Sequence, residues 1–270
     1  ACGSGGFLTV VLDHVRKKIA KSMYPEYEND ELRLAERYNT FQVNERVKDY
    51  AERMIFGFDF DPDLKKAARM NMVMAGDGHA NIFHINSLDY PHGSKIDELE
   101  KIKETIARSI KTSPDRNFPY ETDDAREKFD LIFTNPPFGA KVEVDVEISR
   151  RYELGHNWSK DSNGNFIKGN ASSSEAPEVL FIEQCYNFLK PGGRLAIVLP
   201  DGILGNPNTE YVRDWILKRF KLLASVDLPV ETFLPQVGVQ ASLLFLQKKT
   251  QAERDAANYG EDYDAFMAIV

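Results

Sequence analysis

An α/β fold built on a mostly parallel sheet is what this sequence predicts, and three observations predict it. Short apolar runs bounded by turn residues recur along the chain, at Ile55–Phe60, Asn81–Ile85, Phe129–Thr134, Arg194–Leu199, Leu222–Leu228 and Val239–Gln247. Such runs suit strands buried on both faces. Between them lie stretches whose apolar residues return at helical spacing, such as Ile96, Leu99, Ile102, Ile106 and Ile110. Lastly, several of the apolar runs stop abruptly on Asp, Asn or Pro, at the carboxyl ends of strands, where open α/β sheets bind their ligands.

The composition agrees with one large α/β domain. The chain has 270 residues, 42% hydrophobic and 28% charged, enough to bury a core. No apolar run approaches the roughly 20 residues of a membrane span, and the Gly-rich start is unlike a secretory signal. The two cysteines, Cys2 and Cys185, make no disulfide framework, and the five histidines are scattered, so no metal site is expected. These features read as a reduced, cytoplasmic protein. A net charge of −8 opposes unaided binding to a phosphate backbone. It leaves room for an enzyme that another subunit delivers to nucleic acid.

Taken in order, the chain opens on Ala1-Cys2-Gly3-Ser4-Gly5-Gly6-Phe7-Leu8. Glycines let backbone approach a ligand, and the helix expected from Phe7 to Ala20 would present its amino end beside them. A loop of this kind ordinarily follows a strand, so the pattern is expected to begin inside its own cofactor motif. Lys21 to Asn44 reads as a solvated loop with a short helical insertion, and Arg46 to Met54 as a short helix. Asp59 ends the next strand, where a carboxylate can accept from ribose hydroxyls. Asp61-Pro62 then caps and starts a helix carrying Leu64, Ala67, Ala68, Asn71, Met72 and Ala75. Both aspartates could instead serve only turns. A third strand over Asn81 to Leu88 exits at Asn86, and His84 reads as a strand residue. The charged stretch from Pro91 to Lys128 contains the crossover helix.

The most specific stretch is Asp130-Leu131-Ile132-Phe133-Thr134-Asn135-Pro136-Pro137-Phe138-Gly139. A strand runs to Thr134, and the two prolines, lacking backbone N–H groups, end it in a rigid loop. The Asn135 side-chain oxygen and the Pro136 carbonyl can together accept both hydrogens of an exocyclic amine, leaving its nitrogen electron-rich. Phe138 offers a flat face to a planar base, a contact typically worth ~1–3 kcal/mol. Asn-Pro alone would mark any turn; the four residues directly after an apolar strand are rarer.

Downstream, residues 140–176 are low in apolar residues, and Arg150, Arg151, Lys160 and Lys168 fall there. A loop, poorly ordered without nucleic acid, is expected, either one that closes over nucleic acid or a mobile surface loop. Glu178 to Leu189 reads as a helix ended by Lys190-Pro191-Gly192-Gly193. A strand over Arg194–Leu199, a helix over Thr209–Phe220 and a closing strand pair follow. Phe233, between the last two strands, reads equally as a second ring for a base or as a core residue. Thr250 to Val270 reads as a polar linker with a short helix.

Asn135-Pro136-Pro137-Phe138 resembles the catalytic motif of N6-adenine DNA methyltransferases. The block from Phe188 to Leu204, with Gly57-Phe58-Asp59-Phe60-Asp61-Pro62 and the Asp227–Phe233 and Gly238–Leu246 segments, is similar to the modification (M) subunits of type I restriction–modification systems. The resemblance implies the S-adenosylmethionine-dependent methyltransferase fold, Rossmann-like, with an antiparallel hairpin strand near its C-terminus. It implies a catalytic domain over 1–249 and a linker or tail over 250–270, with an Asp-Pro and a central strand standing just before Ala1. The cofactor implied is S-adenosylmethionine. Ser4, Gly5 and Gly6 would line its methionine end, with Ala1 and Gly3 shaping the turn. Asp59 stands where Glu is commoner, and Asn86 stands where an Asp commonly holds the cofactor's adenine amine. Asn135, Pro136, Pro137 and Phe138 would be catalytic. The implied partners are DNA, a specificity (S) subunit that two M subunits bind, and a restriction (R) subunit. Rival readings are an N-methyltransferase acting on a protein glutamine or an RNA guanine, and a binding fragment without catalysis.

Overall fold

The structure, a computed structural model, describes residues 2–76, 81–92, 96–112, 127–138, 144–173, 175–234, 238–256 and 263–270. It divides into two compact units, Ala1–Asp124 and Ala125–Val270.

In the first unit, helices α1 (Gly6–Met23), α2 (Glu31–Ala35) and α3 (Phe41–Met54) precede strand β1 (Phe56–Asp59). Then come α4 (Pro62–Met74), β2 (Asn81–His84) and α5 (Ile96–Thr112). β1 and β2 pair in parallel, Phe56 opposite Asn81 through Asp59 opposite His84. Leu12, Leu34, Val43, Val47, Ala51, Ile55 and Met72 form one buried cluster that joins the first four helices to the start of β1. The helices expected at α1, α4 and α5 are observed, though Leu64 of α4 is 40% exposed. Within α5, Leu99, Ile102 and Ile106 are buried, while the side chains of Ile96 and Ile110 lie outside the described residues. Lys21–Asn44, expected as solvated loop, contributes Leu34 and Val43 to the core instead. Arg16 of α1 binds the Tyr38 carbonyl, the Asn44 side chain and the Ala75 carbonyl, fastening the insertion to the end of α4.

The second unit runs β3 (Phe129–Thr134), α6 (Val146–Ser149), β4 (His156–Lys160), β5 (Phe166–Ala171), α7 (Pro177–Phe188), β6 (Leu189–Pro200), α8 (Asp201–Gly205), α9 (Glu210–Arg219), β7 (Phe220–Leu228), β8 (Ala241–Lys248), α10 (Gln251–Asp255) and β9 (Phe266–Ile269). Five of these strands make one sheet in the order β3-β6-β8-β7-β9. β3 and β6 are parallel, as are β7 and β9, and β8 runs against both of its neighbours. Four strands therefore point one way and β8 is the reversed member, as expected for a mostly parallel sheet with an antiparallel hairpin strand. Ile182, Leu195, Ile197, Leu199, Trp215, Ile216 and Phe220 fill the core between the sheet and helices α7 and α9.

Four details depart from the sequence reading. β3 is an edge strand of its sheet, so Leu131 is 48% exposed rather than buried. Lys190–Gly193 does not separate helix from strand: Leu189 is already extended and pairs with Phe129, and the next registered pair is Arg194 with Leu131. The intervening residues bulge out, with Gly192 at φ 79°. Residues 144–173, expected as a loop, hold α6 and the antiparallel β4–β5 hairpin. Buried hydrogen bonds explain this order: Glu183 of α7 accepts from the N–H groups of Glu153 (3.0 Å) and Leu154 (2.9 Å). Glu153 in turn accepts from Trp215 Nε1 (2.8 Å) and Arg219 (2.6 Å) of α9. Burial pushes the Glu183 carboxyl above its ordinary value, against the pull of the two N–H groups. The hairpin itself stacks Trp158 on Tyr211 and pairs Lys160 with Glu210. Finally, the stretch read as a tail contributes α10, the short helix expected, and also a strand, since β9 pairs with β7.

Candidate functional site

The residues to which the sequence assigns chemistry fall in two groups, one in each unit. In the first, Gly5 is the N-cap of α1 at φ 83°, and Gly3 sits at φ 56°. That left-handed region strains any residue with a Cβ. A Cβ on Gly5 would also meet Ala68 of α4 at 3.2 Å, whereas a Cβ on Gly3 or Gly6 would meet nothing within 4 Å. Gly5 therefore serves the turn and its packing, while Gly3 and Gly6 border open space that a ligand can enter. Ser4 is exposed, and its carbonyl accepts from Asn71 Nδ2 at 2.9 Å. The sequence reading placed Asn71 only on a helical stripe; an amide among apolar positions was the available signal. Among the described residues no side chain caps α1 and no acid occupies its first turn, which suits an anionic ligand group there. Ala1 lies outside the described residues.

Asp59 ends β1, as expected, but it is 5% exposed. Its Oδ2 accepts from Gly3 N–H at 2.8 Å and its Oδ1 from Asp61 N–H at 3.0 Å. The carboxylate thus welds the Gly-rich turn to the end of β1. Each oxygen accepts through more than one lone pair, so both keep capacity for a further donor. Gly57 is required two residues earlier for space: a Cβ there would strike Ile82, Leu8 and Cys2 at 2.6, 3.0 and 3.2 Å. Asp61 caps α4, accepting from Asp63 N–H (2.7 Å) and Leu64 N–H (3.1 Å), with Pro62 in the first turn. Those N–H groups hold its carboxyl below the ordinary value. Asn86 follows β2, and its Oδ1 accepts from Leu88 N–H at 3.1 Å, a local turn bond. His84 binds the Phe60 carbonyl at 2.7 Å, in keeping with a strand residue.

In the second unit, Asn135 is the first residue past β3. It is exposed, and among the described residues neither its amide nor the Pro136 carbonyl takes part in a hydrogen bond. Pro136 is buried and Pro137 and Phe138 are half-buried, so the loop is held by its prolines and its packing. Phe138 meets Phe233 edge to face, with centroids 5.7 Å apart and planes at 79°. Phe233 lies in the 3-10 turn Val230–Phe233 that follows β7. Phe233 is half-buried, with its ring beside that of Phe138. Both aromatic residues stand past the carboxyl ends of parallel strands, on the edge of the sheet where Asp201 also begins α8.

The sequence matches a family model described as N-6 DNA Methylase over residues 1–261. The type I restriction enzyme EcoEI methylase subunit of Escherichia coli is 24% identical over 250 residues, covering 92% of this chain and 37% of that protein. The chain thus spans little more than a third of the length of this curated relative. A crystal structure of a modification subunit of a putative type I restriction enzyme from Vibrio vulnificus YJ016 superposes with a TM-score of 0.55 at 22% identity, over 92% of this chain and 39% of that one. The ATP-dependent type ISP restriction-modification enzyme LlaBIII, solved bound to DNA, gives 0.59 at 10% identity, over 93% and 16%. These likenesses show that the chain shares its fold with both solved structures. With most of its length matched, from the Gly-rich turn through the reversed strand β8, the chain belongs to the N-6 DNA methylase family.

Proposed function

We propose that this chain carries the catalytic domain, over 1–249, of a type I modification subunit, and that it transfers a methyl group from S-adenosylmethionine to the N6 amine of adenine in DNA. The observation that carries the reading is the corner after β3: an exposed Asn135 amide and a Pro136 carbonyl, with no bonds of their own among the described residues, beside the Phe138–Phe233 ring pair. Family membership and the type I names of the relatives support it.

The residues of the first unit fit the cofactor. Gly3 and Gly6 leave space for it, the uncapped start of α1 suits its carboxylate, and Asp59 and Asn86 retain acceptor capacity for its ribose and adenine. Ser4 and Gly5 complete the turn, with Ala1 before it. Bound there, S-adenosylmethionine supplies a methyl group on a positively charged sulfur.

In the second unit the Asn135 oxygen and the Pro136 carbonyl accept the two N–H bonds of the adenine amine. That keeps electron density on nitrogen while it attacks. The methyl group would come from the bound S-adenosylmethionine, which would be left as a neutral thioether, and the amine would shed its surplus proton to solvent. Pro136 and Pro137 hold the acceptors at fixed angles, the kind of positioning that lowers a bimolecular barrier most. An adenine stacked in duplex DNA must be flipped out, at a cost of a few kcal/mol. Stacking on Phe138, worth ~1–3 kcal/mol, offsets much of that cost, and Phe233 closes the open side.

DNA, an S subunit shared by two M subunits, and an R subunit are the partners in this reading, and the cytoplasm is its place. The net charge of −8 fits an enzyme that relies on the S subunit for DNA contact. Tritium transfer from labelled S-adenosylmethionine, with and without the S subunit, followed by nucleoside analysis, tests all of this. The expected result is labelled N6-methyladenine, strongly dependent on the S subunit. Label in protein glutamine or RNA guanine would overturn the substrate; cofactor binding without any transfer would make the chain a binding module.

A further inference from the structure

Phe233 can hold a base only if the turn that carries it leaves the sheet in a fixed direction, and one residue sets that direction. Gln240 lies directly before β8, half-buried. Its Nε2 donates to Asp227 Oδ1 at 2.7 Å and to the Leu228 carbonyl at 2.9 Å, the last two residues of β7. Its own carbonyl accepts from Asp201 N–H at 3.0 Å, at the end of β6. Asp201 is held in turn by Ser242 Oγ, which donates to its Oδ1 at 2.9 Å. One residue thus ties together the exits of two parallel strands and the entry of the reversed one. Pro229 follows Leu228 at once, and the 3-10 turn is closed by Thr232 N–H on the Pro229 carbonyl. From Leu228 to Phe233 the chain has little rotational freedom left: a proline and a tight turn. Whatever orients the Leu228 carbonyl therefore orients the Phe233 ring, and so its 5.7 Å separation from Phe138.

We propose that Gln240 is a positioning residue for the aromatic pair, setting where the Phe233 edge meets the Phe138 ring beside the target base. This rests on reading the Asn135 corner as a base-holding site. Gln240 touches no substrate; it acts through Leu228 and Phe233. A ladder bond would hold the strand equally well. The side-chain amide differs in reaching the carbonyl of Leu228, in the last ladder pair with Ala241, where the turn departs.

The test replaces Gln240→Met, which keeps the volume and removes both donated bonds, in the protein assembled with its S subunit. Asp227→Asn is the conservative control, since its amide oxygen still accepts from Gln240. Two readouts are taken: methyl transfer, as kcat and as KM for cofactor, and the fluorine resonance of 4-fluorophenylalanine placed at 233, whose shift reports the neighbouring Phe138 ring. In Gln240→Met, kcat is expected to fall about ten- to a hundred-fold, the size that an ångström-scale misplacement produces. KM for cofactor stays unchanged and the fluorine resonance moves, while Asp227→Asn keeps both near wild type. Should Gln240→Met not fold, Gln240→Asn, one methylene too short to reach, takes its place. An unmoved fluorine resonance in the variant, with or without a loss of rate, overturns the proposal, as does an equal loss in Asp227→Asn. The fluorine measurement needs no turnover. A wild-type protein that never methylates adenine therefore sinks the reading of the corner, and is distinguishable from a failure of Gln240 to place the ring.

Discussion

At the carboxyl end of β1 the acid Asp59 is buried, and each of its oxygens already accepts a backbone N–H. At the carboxyl end of β3, Asn135 is exposed, and its amide is bonded to nothing among the described residues. Both positions lie where α/β sheets gather ligands, yet they are made rigid by opposite means. The first is fixed by its own hydrogen bonds, which tie Gly3 and Asp61 to one carboxylate. The second is fixed covalently, by two prolines and the packing of buried Pro136, which leaves its polar atoms unspent. The contrast separates two kinds of residue. Asp59 is architecture, and in the proposed reading chemistry too, so removing it should damage both. Asn135 holds up no other described part of the structure, so removing it should damage chemistry alone.

The sharpest way to break that contrast is Asn135→Ala. Losing one preorganised hydrogen-bonding group at a reacting centre typically costs roughly a hundred- to a thousand-fold in rate. A loss of at least that size in tritium transfer is expected. The melting temperature and the cofactor dissociation constant should stay at wild-type values, because no described bond is lost. A destabilised variant, or one that still methylates at full rate, would place Asn135 with the architectural residues or outside the reaction.

Asp59→Ala is next in size and should fail differently. It strands the N–H groups of Gly3 and Asp61, and a buried donor left without a partner costs about 1–3 kcal/mol. The melting temperature should fall, and cofactor should bind about tenfold more weakly as the Gly-rich turn loosens. Asp59→Asn keeps one acceptor oxygen and should lie between. If cofactor affinity were unchanged while stability dropped, Asp59 would be a weld and nothing more, and the ribose contact would have to be sought elsewhere.

How much of this could be read from residues alone follows the same division. The Asn-Pro-Pro-Phe corner and the Asp61-Pro62 cap were legible because their conformations are set by neighbours in sequence, through fixed φ angles and a side chain reaching its own helix start. The β4–β5 hairpin was not. Its order depends on Glu183, thirty residues beyond the Glu153 N–H it accepts, and on Trp215 and Arg219, further away still. A polar stretch held by a distant buried acid, Glu183, looks, locally, like a solvated loop. β9 escaped for a similar reason, since the strand it pairs with, β7, lies far earlier in the chain, before the whole of β8 and α10. Phe233 was ambiguous because a lone aromatic residue in a loop fits a core as well as a base, and its neighbour Phe138 lies 95 positions earlier in the chain. For Asp59 the position was legible but not its burial, because the N–H that covers it comes from the Gly-rich turn, 56 positions earlier.

The smallest effect belongs to Asp61, which does for α4 what Asp59 does for the turn, though at the surface. Its carboxyl is held below the ordinary value by the N–H groups of Leu64 and Asp63. A carboxylate with a depressed folded value contributes stability above its unfolded value, about pH 4. That contribution disappears as pH falls through the folded value. Asp61→Asn keeps an oxygen that caps the helix but cannot be protonated in this range. At pH 7 its melting temperature should therefore lie close to wild type, and below about pH 4 its stability should fall less steeply. Asp61→Ala should melt lower at every pH, by less than Asp59→Ala does, and should leave cofactor binding intact. Thermal melts from strongly acidic to neutral pH decide it. If the wild-type and Asn proteins lose stability in parallel on the acid side, the cap is not an ionic one. The difference between the two aspartates would then reduce to burial alone.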